Sequence, residues 1–93
     1  MEFSPVVLEV EIYESNFAIP RYTDAIGFPH QGKATLTLGD VEDIFRKANL
    51  EGNIPFLREG KGHRTVKLDV FLTDFLMNSF GFNEVGEIVQ PQT

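Results

Sequence analysis

The chain has 93 residues, of which 42% are hydrophobic and 24% are charged, and its formal net charge is −6. This length and composition predict a single folded domain over residues 1–93 and argue against disordered, collagen-like and coiled-coil classes. The lack of cysteine excludes disulfides and a thiol nucleophile, and the acidic balance argues against nucleic-acid binding by the surface as a whole.

The first half of the chain predicts two strands and a helix. Apolar and polar residues alternate over residues 5–13, which predicts a half-buried strand. Residues 15–32 then form an 18-residue connection, which is long for a compact domain. A second alternating run predicts a strand over residues 33–38, and Asp40 is expected to cap a helix that ends before residue 49.

The second half predicts one weak strand, one strong strand and a short helix. Residues 54–58 are predicted as an edge strand, although Pro55 cannot donate a ladder hydrogen bond. Residues 59–63 are predicted as a hairpin loop that leads into the strongest alternating run, residues 64–72. Thr73 or Asp74 is expected to cap a final helix that stops at Gly81, before a C-terminal tail over residues 82–93.

Together these elements predict an α+β fold, with a three- to four-stranded, mainly antiparallel sheet and two short helices packed on one face. Residues 15–32 have two interpretations. Their aromatic and aliphatic side chains either fold back over the core or present an apolar surface to a partner. The order of the strands in the sheet stays open.

The aromatic residues suggest a protein-binding surface. Of nine Phe, Phe3, Phe71 and Phe82 have no inward position in the predicted pattern. Phe71 and Tyr13 would share the outer face of the sheet, with charged neighbours as a polar rim, unless a helix or the tail covers that face. With the aromatic residues of segment 15–32, the candidate protein-binding residues are Tyr13, Phe17, Tyr22, Phe28 and Phe71.

A cationic segment gives the second hypothesis, which is phosphate or nucleic-acid binding. Residues 46–68 carry a net charge of +4, whereas residues 1–45 carry −6 and residues 69–93 carry −4. Within it, residues 58–64 contain two glycines, which would let backbone amides approach an anion beside the candidate residues Arg58, Lys61, His63 and Arg64. Its spacing matches neither a P-loop nor a dinucleotide fingerprint, so a solvated hairpin tip is the alternative.

The acidic residues allow a third interpretation, in which carboxylates imitate phosphates and inhibit a nucleic-acid-binding protein. The candidates are Glu9, Glu11, Glu14, Asp40, Glu42 and Asp43. Catalysis and metal binding have less support, because His30 and His63 belong to no metal-ligand pattern and no serine lies in a nucleophile motif. We expect no enzyme activity, cofactor or metal; in an enzyme, His30 would be the first candidate acid or base.

The leading prediction is a small non-enzymatic protein-interaction module, such as a regulator, adaptor or assembly subunit. It would bind another protein through the aromatic sheet face, a sheet edge or segment 15–32. Homodimerisation is a further expectation, because small chains often complete their cores by pairing. The apolar runs are too short to cross a membrane and the N-terminus carries no secretory signal, so we expect a cytoplasmic location without membrane contact.

Overall fold

A computed structural model describes residues 5–82 of the chain. These residues form one four-stranded antiparallel sheet and three short helices, which confirms the predicted α+β class. The strands are β1 (Pro5–Ile12), β2 (Ala18–Thr23), β3 (Pro29–Gln31) and β4 (Arg64–Phe71). The helices are α1 (Leu38–Lys47), α2 (Ile54–Arg58) and α3 (Asp74–Phe80), and a 3-10 turn (Glu51–Asn53) precedes α2.

The sheet has the strand order β3-β2-β1-β4, so β3 and β4 are its two edges. In β1, Val10 lies opposite Pro20 of β2 on one side and opposite Val66 of β4 on the other. The even-numbered side chains of β1 face the core, where Leu8, Val10 and Ile12 are fully buried. The odd-numbered side chains therefore form the outer face of the sheet.

The core lies between the inner face of the sheet and the helices. Phe45 of α1, Leu57 of α2 and Phe80 of α3 are fully buried in the same cluster as the inner residues of β1. The ring of Phe80 packs edge-on against those of Phe45 and Phe82, with centroids 6.3 and 5.9 Å apart. In residues 5–82, no helix is long and apolar enough to span a bilayer.

The predicted strand over residues 33–38 is wrong. This segment forms only an isolated bridge between Phe17 and Thr37, and α1 begins at Leu38 rather than after Asp40. Thr37 is the N-cap: its side chain accepts a hydrogen bond from the Asp40 backbone, and the Asp40 side chain accepts one from the Thr37 backbone. This capping box ends the extended segment before it can pair along its length.

The 15–32 segment is not a long loop, because it contains β2 and β3. Asn16 and Gly27 adopt positive φ angles of 69° and 90°. Asn16 lies in the turn before β2, and Gly27 lies in the turn before β3. Pro20 does not prevent β2 from forming, because its ring replaces an N–H that would point away from β1. The apolar residues of the segment thus fill strand positions as well as turns.

The predicted edge strand over residues 54–58 is also wrong, since these residues form α2. Pro55 lies in the first turn of this helix, where a missing N–H has no helical partner to lose. Residues 59–63 consequently connect a helix to β4 and are not a hairpin loop.

The end of the described chain agrees better with prediction. Thr73 caps α3, and Gly81 ends the helix with a φ of 84°. However, Phe82 is buried, so it belongs to the core rather than to the predicted tail. Phe3 and residues 83–93 lie outside the described residues.

Candidate functional site

The two edges of the sheet differ in how open they are to another strand. β3 has only three residues and begins with Pro29, and short edges that contain proline are a common protection against further pairing. β4 has eight residues and contains no proline. The open edge of the sheet is therefore β4.

The direction of the β4 backbone groups follows from the ladder. Gly32 N donates to Pro20 O over 2.8 Å, so the polar groups of Pro20 point toward β3 and away from β1. Val10 and Pro20 are thus a non-hydrogen-bonded pair, and the even-numbered residues of β1 turn their N–H and C=O groups toward β4.

Because even-numbered residues of β1 lie opposite even-numbered residues of β4, the odd-numbered residues of β4 point their backbone groups toward the free edge. Among the residues described, no other segment makes a backbone hydrogen bond to this edge. The open groups belong to Thr65, Lys67, Asp69 and Phe71.

A groove of about 490 Å³ runs beside this edge. One side consists of residues 64–69 of β4, and the other consists of Asn53, Phe56 and Glu59 from the segment around α2. Phe56 leaves 50% of its surface exposed although its neighbour Leu57 is fully buried. The groove therefore combines open backbone groups with an exposed aromatic ring, and we call it the β4 groove.

The outer face of the sheet carries a cluster of paired charges at the opposite end from Phe71. The carboxylate of Glu11 accepts a hydrogen bond from Arg21 Nη1, and His63 Nε2 lies 2.6 Å from Glu11 Oε2. These two partners, His63 first, lower the pKa of Glu11. The ring of Tyr13 stacks on that of His63 with a centroid distance of 4.5 Å. The side chain of Tyr13 is half-buried and packs against this charged cluster on the outer face of the sheet.

The candidate aromatic residues do not form one patch. Phe71 lies opposite Pro5, at the other end of β1 from Tyr13. Eight residues of strand separate the two positions, a distance of about 27 Å at the usual strand rise. Phe17 lies beside Tyr13, because Tyr13 N donates to Phe17 O.

The aromatic residues of segment 15–32 also lie in different environments. Phe28 is partly exposed at the turn between β2 and β3, where its ring lies edge-on to His30. Tyr22 is buried, and its ring stacks on that of His30 with a centroid distance of 4.6 Å. The assignment of Tyr22 to a protein-binding surface is therefore corrected: its side chain belongs to the core.

The four candidate anion-binding residues are only partly brought together. Arg58 and Arg64 line a second groove of about 420 Å³ with the start of α1. Both nitrogens that Arg58 uses, Nε and Nη2, donate to Glu42, over 2.7 and 2.8 Å. Lys61 is exposed in the 59–63 loop, and His63 binds Glu11 on the outer face.

Arg64 is anchored by backbone carbonyls. Its Nη1 donates to Gly62 O and its Nη2 to Leu57 O, over 2.9 and 3.0 Å. Its Nε is buried with no partner among residues 5–82. These contacts fix the loop that leads into β4, so Arg64 stabilises the entrance to the strand.

Among residues 5–82, Glu42 is the one carboxylate that is buried. The hydrogen bonds from Arg58 lower its pKa below the ordinary value of 4.5, and they outweigh burial, which acts in the opposite direction. A carboxyl whose pKa is lower in the folded than in the unfolded state stabilises the fold above the unfolded pKa. This contribution is lost as the pH falls through the folded pKa.

We therefore expect Arg58→Gln to raise the pKa of Glu42. The variant should also lose less stability than wild type when the pH is lowered. The measurement is an NMR pH titration of the Glu42 side-chain carboxyl in both proteins. Arg46→Gln is the matched control, because Arg46 lies farther from Glu42, at 3.9 Å, and should give a smaller rise. An equal rise in the two variants would contradict a dominant role for Arg58.

His30, the candidate acid or base, is paired with Asp24 and packs against two aromatic rings. Its Nε2 lies 2.9 Å from Asp24 Oδ2, and its ring stacks on that of Tyr22 and lies edge-on to that of Phe28. The His30 contact and the backbone N–H of Phe28 lower the pKa of Asp24. Within residues 5–82, no group of three His, Asp or Glu side chains has the arrangement to hold a metal ion.

No protein-family model, curated protein or solved structure matches the chain.

Proposed function

We propose that this protein is a protein-interaction module that binds an extended segment of a partner protein along the free edge of β4. The observation that supports this function is the eight-residue edge strand, whose odd-numbered backbone groups are open beside the β4 groove. Addition of a strand to such an edge is a common mode of protein recognition. A regulator, an adaptor and an assembly subunit can all act in this way.

An added strand would gain from both parts of the groove. Its backbone would pair with the four open residues of β4, and each hydrogen bond formed contributes on the order of 1 kcal/mol. Its side chains would alternate between the outer face and the groove side, where Phe56 offers apolar contact. Backbone pairing would supply affinity, and the pocket beside Phe56 would supply selectivity.

The other surfaces support a binding function less well. The aromatic candidates are spread over distant parts of the fold, and charged pairs occupy the outer face around Glu11. Anion binding has less support because the nearby donors already have partners. Arg58 donates to the carboxylate of Glu42, and the side chains of the capping box accept hydrogen bonds from backbone N–H groups at the start of α1. An incoming phosphate would have to displace a carboxylate from its partner.

The test is a pair of substitutions at one edge residue. Asp69→Pro removes an N–H that points to the free edge and keeps the ladder to β1, whereas Asp69→Glu keeps both this N–H and the charge. We expect nuclease-treated source-cell lysate to yield a partner protein with wild type and with Asp69→Glu. Capture by Asp69→Pro should fall at least about 10-fold, since several hydrogen bonds depend on the added strand.

Circular dichroism and thermal melting would first establish that both variants are folded. Quantitative mass spectrometry would then compare the proteins retained by each variant. Equal retention by Asp69→Pro and Asp69→Glu would contradict binding at the β4 edge. Retention of nucleic acid in untreated lysate, with loss of all proteins after nuclease digestion, would favour the cationic segment instead.

A further inference from the structure

We infer that the occupant of the β4 edge is a second copy of this chain, paired antiparallel with β4 about a two-fold axis at Leu68. This inference rests on the proposed function, because it names the partner of the same edge. It would join two four-stranded sheets into one continuous sheet across the dimer.

The charges of β4 are complementary to themselves about Leu68. A two-fold axis at this residue places Lys67 opposite the partner's Asp69, and Asp69 opposite the partner's Lys67. Opposite charges that face each other across two antiparallel strands stabilise the pairing. The symmetry therefore yields two favourable charge pairs from one strand sequence.

Neighbouring registers lack this property. An axis at Lys67 would place that lysine opposite its own copy, and an axis at Asp69 would do the same for the aspartate. Like charges directly opposite each other are destabilising. The axis at Leu68 also uses the strand over its full length, because it pairs Thr65 with the partner's Phe71.

The open backbone groups fit this register. The pairs between residues 67 and 69 and between residues 65 and 71 join odd-numbered positions, whose N–H and C=O groups point to the free edge. Each such pair exchanges two hydrogen bonds, so the dimer would gain about eight in all. A register that joined odd to even positions would leave these groups unpaired.

The inner face of the joined sheet would be apolar. The same register places Val66 opposite the partner's Val70, and Leu68 opposite the partner's Leu68. All three side chains already face the core side of β4, where Leu68 and Val70 are buried. The two cores would thus meet across the new strand pair beside the β4 groove, where Phe56 lies.

The experiment is an exchange of charges in the full chain, read by sedimentation equilibrium over a range of protein concentrations. We expect the wild type to be a dimer. Lys67→Asp and Asp69→Lys should each raise the dimer dissociation constant at least about 10-fold, because each turns two attractive pairs into two repulsive ones. The double variant should return the constant to within about 3-fold of wild type, because it restores both pairs.

Two controls separate this effect from damage to the fold. Lys67 also lies opposite Glu9 of its own sheet, so Lys67→Asp places like charges within one chain. The double variant retains that same intrachain contact, and recovery of its dimer therefore reports the pair between chains. Lys61→Asp makes an identical change of charge in the 59–63 loop, outside the pairing, and should leave the dimer unchanged.

Failure of this inference can be told apart from failure of the proposed function. A wild-type monomer would overturn the inference, and the Asp69→Pro capture experiment would then decide the proposed function independently. A dimer that resists both single charge changes would show that it uses another surface, which also overturns the inference. Single variants that dissociate without rescue in the double variant would overturn the register at Leu68.

Discussion

Replacement of Phe80 by alanine is expected to destabilise the fold by about 3–5 kcal/mol, the usual range for removing a buried phenylalanine ring. Phe80 is fully buried and its ring lies between those of Phe45 and Phe82. Its truncation would leave a cavity that rigid aromatic neighbours cannot fill. The loss would be a large share of the stability of a small domain, about 5–15 kcal/mol.

Phe75→Ala is the matched control, because it removes the same ring from the same helix at a position that is 43% exposed. We expect this change to cost less than about 1 kcal/mol. Urea unfolding followed by circular dichroism measures both variants against wild type. Similar losses in the two variants would contradict the position of Phe80 at the centre of the core.

Periodicity predicted the elements that pack against the core along their whole length. The alternation of residues 5–13 and 64–72 corresponds to β1 and β4, and each strand buries one face against the helices. The helix predicted after Asp40 likewise corresponds to α1, although the capping box starts it earlier. The sequence predicts these elements because buried positions recur with the repeat of the element, every second residue in a strand and about every 3.6 residues in a helix.

Two of the elements that the sequence did not predict, β2 and α2, each contain a proline. In β2, the N–H that Pro20 lacks would point away from β1, so no hydrogen bond to that strand is lost. In α2, Pro55 occupies the first turn of the helix, where it is favoured. The effect of a proline depends on where its missing N–H would point, and this direction is fixed only by the tertiary pairing.

A sheet edge is among the binding surfaces that the sequence predicts, but the sequence could not identify β4 as that edge, for a related reason. The complementary order of Lys67, Leu68 and Asp69 is visible in the sequence, but it has meaning only if β4 is an edge strand. That condition depends on the pairing of β2 with the far side of β1. Phe56 falls within the predicted strand over residues 54–58, so the sequence does not indicate that it lies beside this edge.

A folded domain with an open edge has to avoid uncontrolled association. The β3 edge is protected by its shortness and by Pro29, whereas β4 carries one lysine, a residue that often protects edges. In the proposed register, Lys67 meets an aspartate instead of solvent. The same residue would then oppose misaligned pairing, which sets lysine against lysine, and favour the aligned dimer.

Replacement of Gly32 by alanine is expected to destabilise the fold by about 3 kcal/mol, the upper end for inserting a methyl group into a packed site. A Cβ atom at this position would lie 2.2 Å from Phe80 O and 2.8 Å from Pro20 Cγ. The chain cannot move away easily. Gly32 N donates to Pro20 O and Lys33 N donates to Phe80 O, so a shift would lengthen both hydrogen bonds.

Gly39→Ala provides the matched control with the opposite expected sign. Gly39 lies in α1, and a Cβ atom there would meet only Thr37 Oγ1, at 3.8 Å, which is an ordinary contact. Alanine favours the helix over glycine by about 0.5–1 kcal/mol, so this variant should melt at a higher temperature than wild type. A neutral Gly32→Ala variant would contradict the close contact between the end of β3 and α3, because nothing else could absorb the added methyl group.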